Sequence, residues 1–225
     1  MAYGFNSVTA FVSAPDENTV HFLDRAGYPQ YSDTIPVTAT ENLALDSLLS
    51  VRYVLLPAGD DNNKGLTKIL GVEGFKDLYL NSYAVPVAFT VNGTGSYESP
   101  GSNFALYLND LYRHLSGIEK DIFIPIDNVD SSVDGNEFDY KTVVNDDDSV
   151  IYANFVTNGQ SAATLYMNGE KITSYSADLA PKLIRVKTVD REAEIKLIFN
   201  ENEGKVIDAQ IYLLDTDALA EATSV

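Results

Sequence analysis

Apolar positions follow different periods in the two parts of the chain. Up to about residue 126, helical and strand patterns alternate, whereas from Pro125 onward short apolar–polar alternations follow one another with no helical pattern between them. This change predicts an N-terminal α/β unit, residues 1–126, and a C-terminal unit of strands, residues 127–225. The acidic stretch Asp127–Gly135 is the expected linker between the two units.

Capping residues mark the helices of the N-terminal unit. Ser13 and Asp16 predict a helix start, and Gly27 predicts its end. Thr38–Glu41 resembles a capping box ahead of a short leucine-rich helix. A longer helix, about residues 103–115 and ended by Gly117, carries an apolar stripe that needs a sheet to pack against. The stripe consists of Phe104, Leu108, Leu111, Tyr112 and Leu115.

Strand patterns in the same unit predict a small mixed sheet. Tyr3–Val12 is one expected strand, and the apolar run Val51–Leu56 is typical of a buried central strand. Phe75–Leu80 and Pro86–Val91 are expected strands on either side of a turn at Asn81–Tyr83.

The second unit is expected to be an antiparallel, jelly-roll-like β-sandwich, because its short strands are separated by turn signals and not by helices. The fold class is therefore α+β. The predicted strands are Glu137–Val144, Ser149–Val156, Ala162–Met167, Leu183–Val189, Ala193–Phe199 and Ala209–Leu214. Asp215–Ala222 is expected to begin a helix.

Charge narrows the set of partners. The chain has 33 acidic and 15 basic residues, a net charge of −18. Nucleic acid is not an expected partner, because its binding requires lysine and arginine at the phosphates. The same excess of acid disfavours direct docking on an anionic membrane surface. Cysteine is absent from the sequence, which removes thiolate chemistry.

The residue pattern predicts no catalytic residue, no metal site and no cofactor. His114 lies four residues after Asp110, but no nucleophile motif such as G-x-S-x-G completes the pair. Carboxylates around Asp127–Asp139, together with Asp146–Asp148, could supply calcium ligands, although their spacing does not match an EF-hand loop. We therefore expect them to be solvated.

Aromatic residues suggest a possible ligand surface on the sandwich. The chain has 14 tyrosines, and aromatic faces stack on sugars. We expect most of them to lie in the core. Three, on or beside the predicted strands, are the candidates for glycan binding: Tyr152, Tyr166 and Tyr175.

Several segments, in order, carry a family resemblance. Asp46–Leu55 resembles the signature DSLLGIKYVL, and Asn81–Phe89 the signature eNpyaLPlaF, of the YfhO family of bacterial membrane proteins. Tyr3–Ser7, Asn109–Gly117 and Tyr166–Lys171 are similar to further segments of that family. Ser82 departs from the pattern, since the family usually has proline there.

The resemblance implies an extracytoplasmic, membrane-anchored domain of a C-type glycosyltransferase-like protein. Such proteins transfer a lipid-linked sugar to an envelope polymer, and their catalytic carboxylate is expected between membrane helices that this chain lacks. The expected partners are therefore the membrane helices of the same full-length protein and envelope glycan, such as teichoic acid or polysaccharide. The motif residues with expected structural roles are Ser47, Arg52, Tyr53, Asn81, Tyr83, Pro86 and Phe89. Arg52 and Tyr53 are expected to be buried.

Two other functions remain open at this point. The same sandwich could be a free carbohydrate-binding or adhesion module, which an upstream membrane helix in the complete protein would contradict. A glycoside hydrolase fragment would need paired carboxylates about 5–9.5 Å apart across a cleft.

Overall fold

The computed structural model describes residues 17–28, 30–31, 35–36, 42–59, 63–71, 76–91, 103–159, 161–177, 182–201 and 203–224. The helices within these ranges are α1 (Glu17–Arg25), α2 (Leu43–Leu48), α3 (Phe104–Ser116) and α4 (Thr216–Thr223). The predicted strand Tyr3–Val12, the helix start at Ser13 and Asp16, and the capping box Thr38–Glu41 lie outside the described residues.

Two small antiparallel sheets precede the sandwich in the chain. The first pairs β1 (Gln30–Tyr31) with β2 (Ile35–Pro36). The second is three-stranded, with β5 (Lys76–Leu80) between β3 (Tyr53–Pro57) and β4 (Thr67–Gly71). Both of its strand pairs are antiparallel.

The remaining strands form the predicted β-sandwich, in which every described strand pair is antiparallel. One sheet has the order β11-β10-β13-β8-β7, and the other has the order β12-β9-β14-β6. Their strands are β6 (Phe123–Pro125), β7 (Val129–Asp134), β8 (Glu137–Val143), β9 (Val150–Thr157), β10 (Ala163–Met167), β11 (Glu170–Tyr175), β12 (Leu183–Val186), β13 (Glu192–Phe199) and β14 (Val206–Leu214). The α+β class with a sandwich is thus confirmed.

One hydrophobic core fills the space between the two sandwich sheets. Ile195 and Leu197 of β13 face Ile151 and Phe155 of β9, and all four are almost fully buried. The alternation of buried and half-exposed residues along β13 follows from this, because successive side chains of a strand point to opposite faces.

A second core lies on the other face of the four-stranded sheet, where the helices cover it. Tyr152, Leu183 and Tyr212 of the sheet pack with Leu108 and other helical residues. Since β9 is covered on both faces, its residues Val150–Phe155 are all buried. The apolar stripe of α3 therefore packs on a sheet, as predicted.

Short polar side chains and glycines delimit the helices. Asn42 and Asn103 cap α2 and α3, each accepting a hydrogen bond from a main-chain N–H in the first turn of its helix. Gly117 ends α3 with φ of 77°, and Gly27 follows α1 with φ of 91°. Both values lie in the left-handed region, where glycine carries no steric penalty. These two helix ends match the predictions.

Three local predictions were wrong. Val51–Leu56 is not a buried central strand, because β3 lies at an edge of its sheet and most of its residues are exposed. Pro86–Val91 contains no strand. Asp127–Gly135 is not a linker, since β7 within it pairs along its whole length with β8 as an exposed edge strand. The strands β4 and β11 were not predicted from the sequence.

The division into units 1–126 and 127–225 stays a prediction. The helical core draws on residues from both sides of this boundary, so the two units share a packed contact.

We expect limited proteolysis to cut first near Asp127 and Asn128, which are exposed and precede β7, and to leave two fragments less stable than the whole chain. First cleavage within β9, which is buried, would contradict this division.

Candidate functional site

The two segments with the strongest family resemblance meet at a buried pair of polar side chains. Ser47, the last buried residue of α2, and Asn81, which directly follows β5, are at most 1% exposed. Asn81 Nδ2 donates to Ser47 Oγ at 3.1 Å and to the Val51 carbonyl at 3.0 Å. Ser47 Oγ in turn donates to the Leu43 carbonyl at 2.6 Å. Buried polar atoms in this pair are therefore satisfied, as burial requires.

Further hydrogen bonds, each with a main-chain group, extend this junction. The Val85 N–H donates to the Ser47 carbonyl at 3.0 Å, and Asn81 Oδ1 accepts from the Tyr83 N–H at 3.0 Å. Ser50 Oγ donates to the Pro86 carbonyl at 3.2 Å. Tyr83 is half-buried and packs against the helical core, and Phe89 is also half-buried. The arrangement locks the turn after β5 onto α2, which is an architectural role.

Arg52 and Tyr53 were predicted to be buried, and this prediction was wrong. Both side chains are exposed, Tyr53 to 59%. Only the Arg52 main chain joins the junction, where its carbonyl accepts from the Asn81 N–H at 2.9 Å. The apolar neighbours that suggested burial lie on an open three-stranded sheet.

A cleft with a volume of about 580 Å³ lies at one end of the sandwich. Its walls come from the connection between β6 and β7, the loop between β8 and β9, and the junction of β14 with α4. Ile126, Val150 and Leu213 supply apolar lining, whereas Asn128, Asn145 and Ser149 supply polar groups. The volume is within the range of small-ligand sites.

Carboxylates set the electrostatics of this cleft. Asp127, Asp146 and Asp148 are exposed at its rim. Asp146 Oδ1 accepts from the Asp148 N–H at 3.1 Å, which orders the loop that carries both. Asp215, also in the lining, is half-buried and caps α4 by accepting from the Asp217 and Ala218 N–H groups. The cleft thus offers hydrogen-bond acceptors and negative charge.

The structure places the potential metal ligands and the histidines of the described residues as follows. No group of three or more potential metal ligands among them is placed to hold an ion. Asp110, the expected partner of His114, forms an ion pair with Arg113 at 2.5 Å. His21 is exposed and lies 3.5 Å from Glu17.

The three candidate tyrosines occupy different environments. Tyr152 is fully buried, and its hydroxyl accepts from the Leu43 N–H at 2.9 Å, so it serves the core and the start of α2. Tyr175 is buried in the sandwich core, and this burial raises its pKa to about 12. These positions leave no surface for glycan on either ring. Tyr166 is half-exposed and lies beside Lys196 of β13 on the outer face of the five-stranded sheet. It remains the one predicted glycan contact with an accessible ring.

Sequence reasoning missed the cleft. Its lining comes from segments that are far apart in the chain. Asp127 and the aspartates at 146–148 were singled out only as turn signals or candidate calcium ligands, and not as parts of one cleft.

Fold and site together define a helix-covered β-sandwich domain that has an acidic cleft and, separately, a buried junction between two family motifs. No helix in the part of the chain that the structure describes is long and apolar enough to cross a membrane. The family described as bacterial membrane protein YfhO matches residues 1–225. The chain therefore belongs to the YfhO family. A comparison with curated proteins gave no match.

Proposed function

We propose that this chain is an extracytoplasmic domain of a polytopic membrane glycosyltransferase and binds the glycan of an envelope polymer without being catalytic by itself. The observation that carries the proposal is the match to a membrane-protein family over the full length of the chain. The membrane helices of the same full-length protein would hold the lipid-linked sugar and the catalytic carboxylate. The match favours this function over a free carbohydrate-binding or adhesion module.

The acidic cleft is the proposed glycan site. Sugar hydroxyls donate hydrogen bonds to carboxylates such as Asp127 and Asp148, and the C–H faces of a sugar ring pack on apolar lining such as Ile126 and Leu213. Both kinds of group are present in the cleft. Because the cleft is open to solvent, we expect a dissociation constant in the millimolar range, about −4 kcal/mol.

Charge decides between the two candidate polymers. A teichoic acid carries phosphates, which the rim carboxylates and the net charge of −18 repel. A neutral polysaccharide does not meet this repulsion. We therefore expect neutral glycan fragments to bind more tightly than phosphate-containing ones at low salt.

Titration of the purified chain with glycan fragments, followed by amide NMR, tests the proposal. Shifts should concentrate at residues 126–128, 143–150 and 213–216. The double variant Asp127→Ala/Asp148→Ala should weaken binding about tenfold, equivalent to about 1.4 kcal/mol. The matched control Asp130→Ala/Asp134→Ala removes the same charge from exposed positions on β7 and should leave the affinity within about twofold.

Three results would count against the proposal. Absence of shifts at millimolar ligand would remove the glycan-binding part. Shifts confined to the surroundings of Tyr166 would move the site to the outer sheet. Turnover of a lipid-linked sugar by the purified chain would contradict its non-catalytic role.

A further inference from the structure

One face of the three-stranded sheet is apolar and turned to solvent. Strand register places Tyr53 opposite Leu80, and Leu55 opposite Leu78, which in turn pairs with Leu70. Since alternate residues of a strand share a face, these five form one surface, the apolar sheet face. Tyr53, Leu55 and Leu70 are 59%, 50% and 55% exposed, and the other two are half-buried.

The opposite face of the same sheet is the one that the fold buries. Leu56, Asp77 and Tyr79 lie there, and each is at most 6% exposed. Asp77 accepts from Lys68 Nζ at 2.6 Å, and the Tyr79 hydroxyl accepts from Asn63 Nδ2 at 2.7 Å. These hydrogen bonds satisfy polar groups on the buried side, and the leucines lie on the side away from them. A contiguous, exposed apolar surface of this kind marks an interaction site.

The charge around the apolar sheet face differs from that of the rest of the chain. Residues 51–91 contain four basic and four acidic residues, so the whole net charge of −18 resides elsewhere. None of the five residues of the face is acidic, and Lys76, exposed at its edge, lies opposite Pro57 on the same side of the sheet. This face therefore lacks the negative charge that keeps the chain as a whole from an anionic surface.

We propose that the apolar sheet face docks on a lipid bilayer that contains anionic lipid. Leucines enter the boundary between headgroups and acyl chains, Tyr53 supplies the amphipathic ring that this boundary favours, and Lys76 lies at headgroup level. The rest of the chain is acidic and is repelled by the anionic lipid. This repulsion orients the domain with the sandwich away from the membrane surface. The chain belongs to a family of membrane proteins, so we expect a bilayer close to it. This expectation is the same for either candidate polymer.

Site-specific fluorescence can test this docking, because the chain has no cysteine and a single introduced thiol is therefore unique. Leu55→Cys and Leu70→Cys, each labelled with an environment-sensitive dye, are mixed with vesicles of phosphatidylglycerol and phosphatidylcholine. We expect a blue shift and a rise in emission at both positions. The matched controls Val133→Cys and Ile172→Cys, at exposed apolar positions 64% and 45% accessible on the sandwich, should show neither.

Two variants separate apolar from electrostatic contributions in vesicle flotation. Leu55→Glu/Leu70→Glu should reduce the bound fraction at least about tenfold, and Lys76→Gln about fivefold, which corresponds to about 1 kcal/mol per charge near an anionic surface. The Lys76 effect should vanish on pure phosphatidylcholine. Circular dichroism confirms that the variants are folded.

Four outcomes would overturn the proposal. The first two are equal dye responses on the apolar sheet face and on the sandwich, and no binding to either kind of vesicle. The third is unchanged binding of the folded double variant. The fourth is a dimer of the wild-type chain that the double variant Leu55→Glu/Leu70→Glu dissociates. The last would assign the face to a second copy of the chain. None of them affects the glycan titration, so the two proposals fail separately.

Discussion

Replacing Phe123 with alanine should lower the free energy of unfolding by about 3–5 kcal/mol. Phe123 is fully buried on β6, in the core shared by the helices and the four-stranded sheet. Its ring meets Tyr152 edge to face at a centroid distance of 5.4 Å and Tyr212 at 6.3 Å. Removing it leaves a cavity and also loses the two aromatic contacts.

Ile124→Ala is the matched control, because it changes the next residue of the same strand, whose side chain is 40% exposed on the opposite face. Its cost should stay near or below about 1 kcal/mol. Urea unfolding followed by circular dichroism and by tyrosine fluorescence gives both values. A cost of Phe123→Ala no larger than that of Ile124→Ala would show that the helical layer does not depend on this core.

Local signals accounted for most of the fold. Asn103 and Gly117 delimit α3 through cap geometry that depends only on neighbouring residues. The alternation along β13 and β10 reflects burial on one face, which is the pattern that sequence periodicity reports. The family motifs also proved informative, since Ser47 and Asn81 lie 34 positions apart and bond directly.

Contacts between residues far apart in the chain determined the elements that the local patterns did not predict. Val51–Leu56 is apolar enough for a central strand, yet it became an edge strand because its neighbours cover only one side of it. Residues 127–135 are acidic enough for a linker, but β8 offered a free edge with which β7 pairs. Tyr152 has the pattern of a surface strand residue, and only the helices packed over the second face of its sheet explain its burial. None of these partners is close in sequence.

The candidate site was less predictable than the fold for the same reason. The cleft forms where three connections meet at one end of the sandwich, and each contributes only three to seven residues. The apolar sheet face depends on which side of β3 is covered, which periodicity cannot determine for a uniformly apolar run.

Replacing Asn81 with alanine should lower the free energy of unfolding by about 2–4 kcal/mol. The amide donates to Ser47 Oγ and to the Val51 carbonyl and accepts from the Tyr83 N–H. Alanine can make none of these bonds, and the side chain of Ser47, which is 0% exposed, has no route to water as a replacement. The turn after β5 would lose its attachment to α2.

Substitutions at neighbouring positions test whether the loss of stability comes from the buried Asn81 amide or from any change within the motif. Ser82→Ala alters the exposed residue next to Asn81, and Arg52→Ala alters an exposed side chain, so each should cost less than about 0.5 kcal/mol. Asn81→Asp retains an acceptor for Tyr83 but removes the donor to Val51 and Ser47, so it should fall nearer to alanine than to the wild type. Chemical denaturation of the four variants measures the series. A cost for Arg52→Ala that equals that of Asn81→Ala would show that the arginine side chain, and not the buried amide, holds the two segments together.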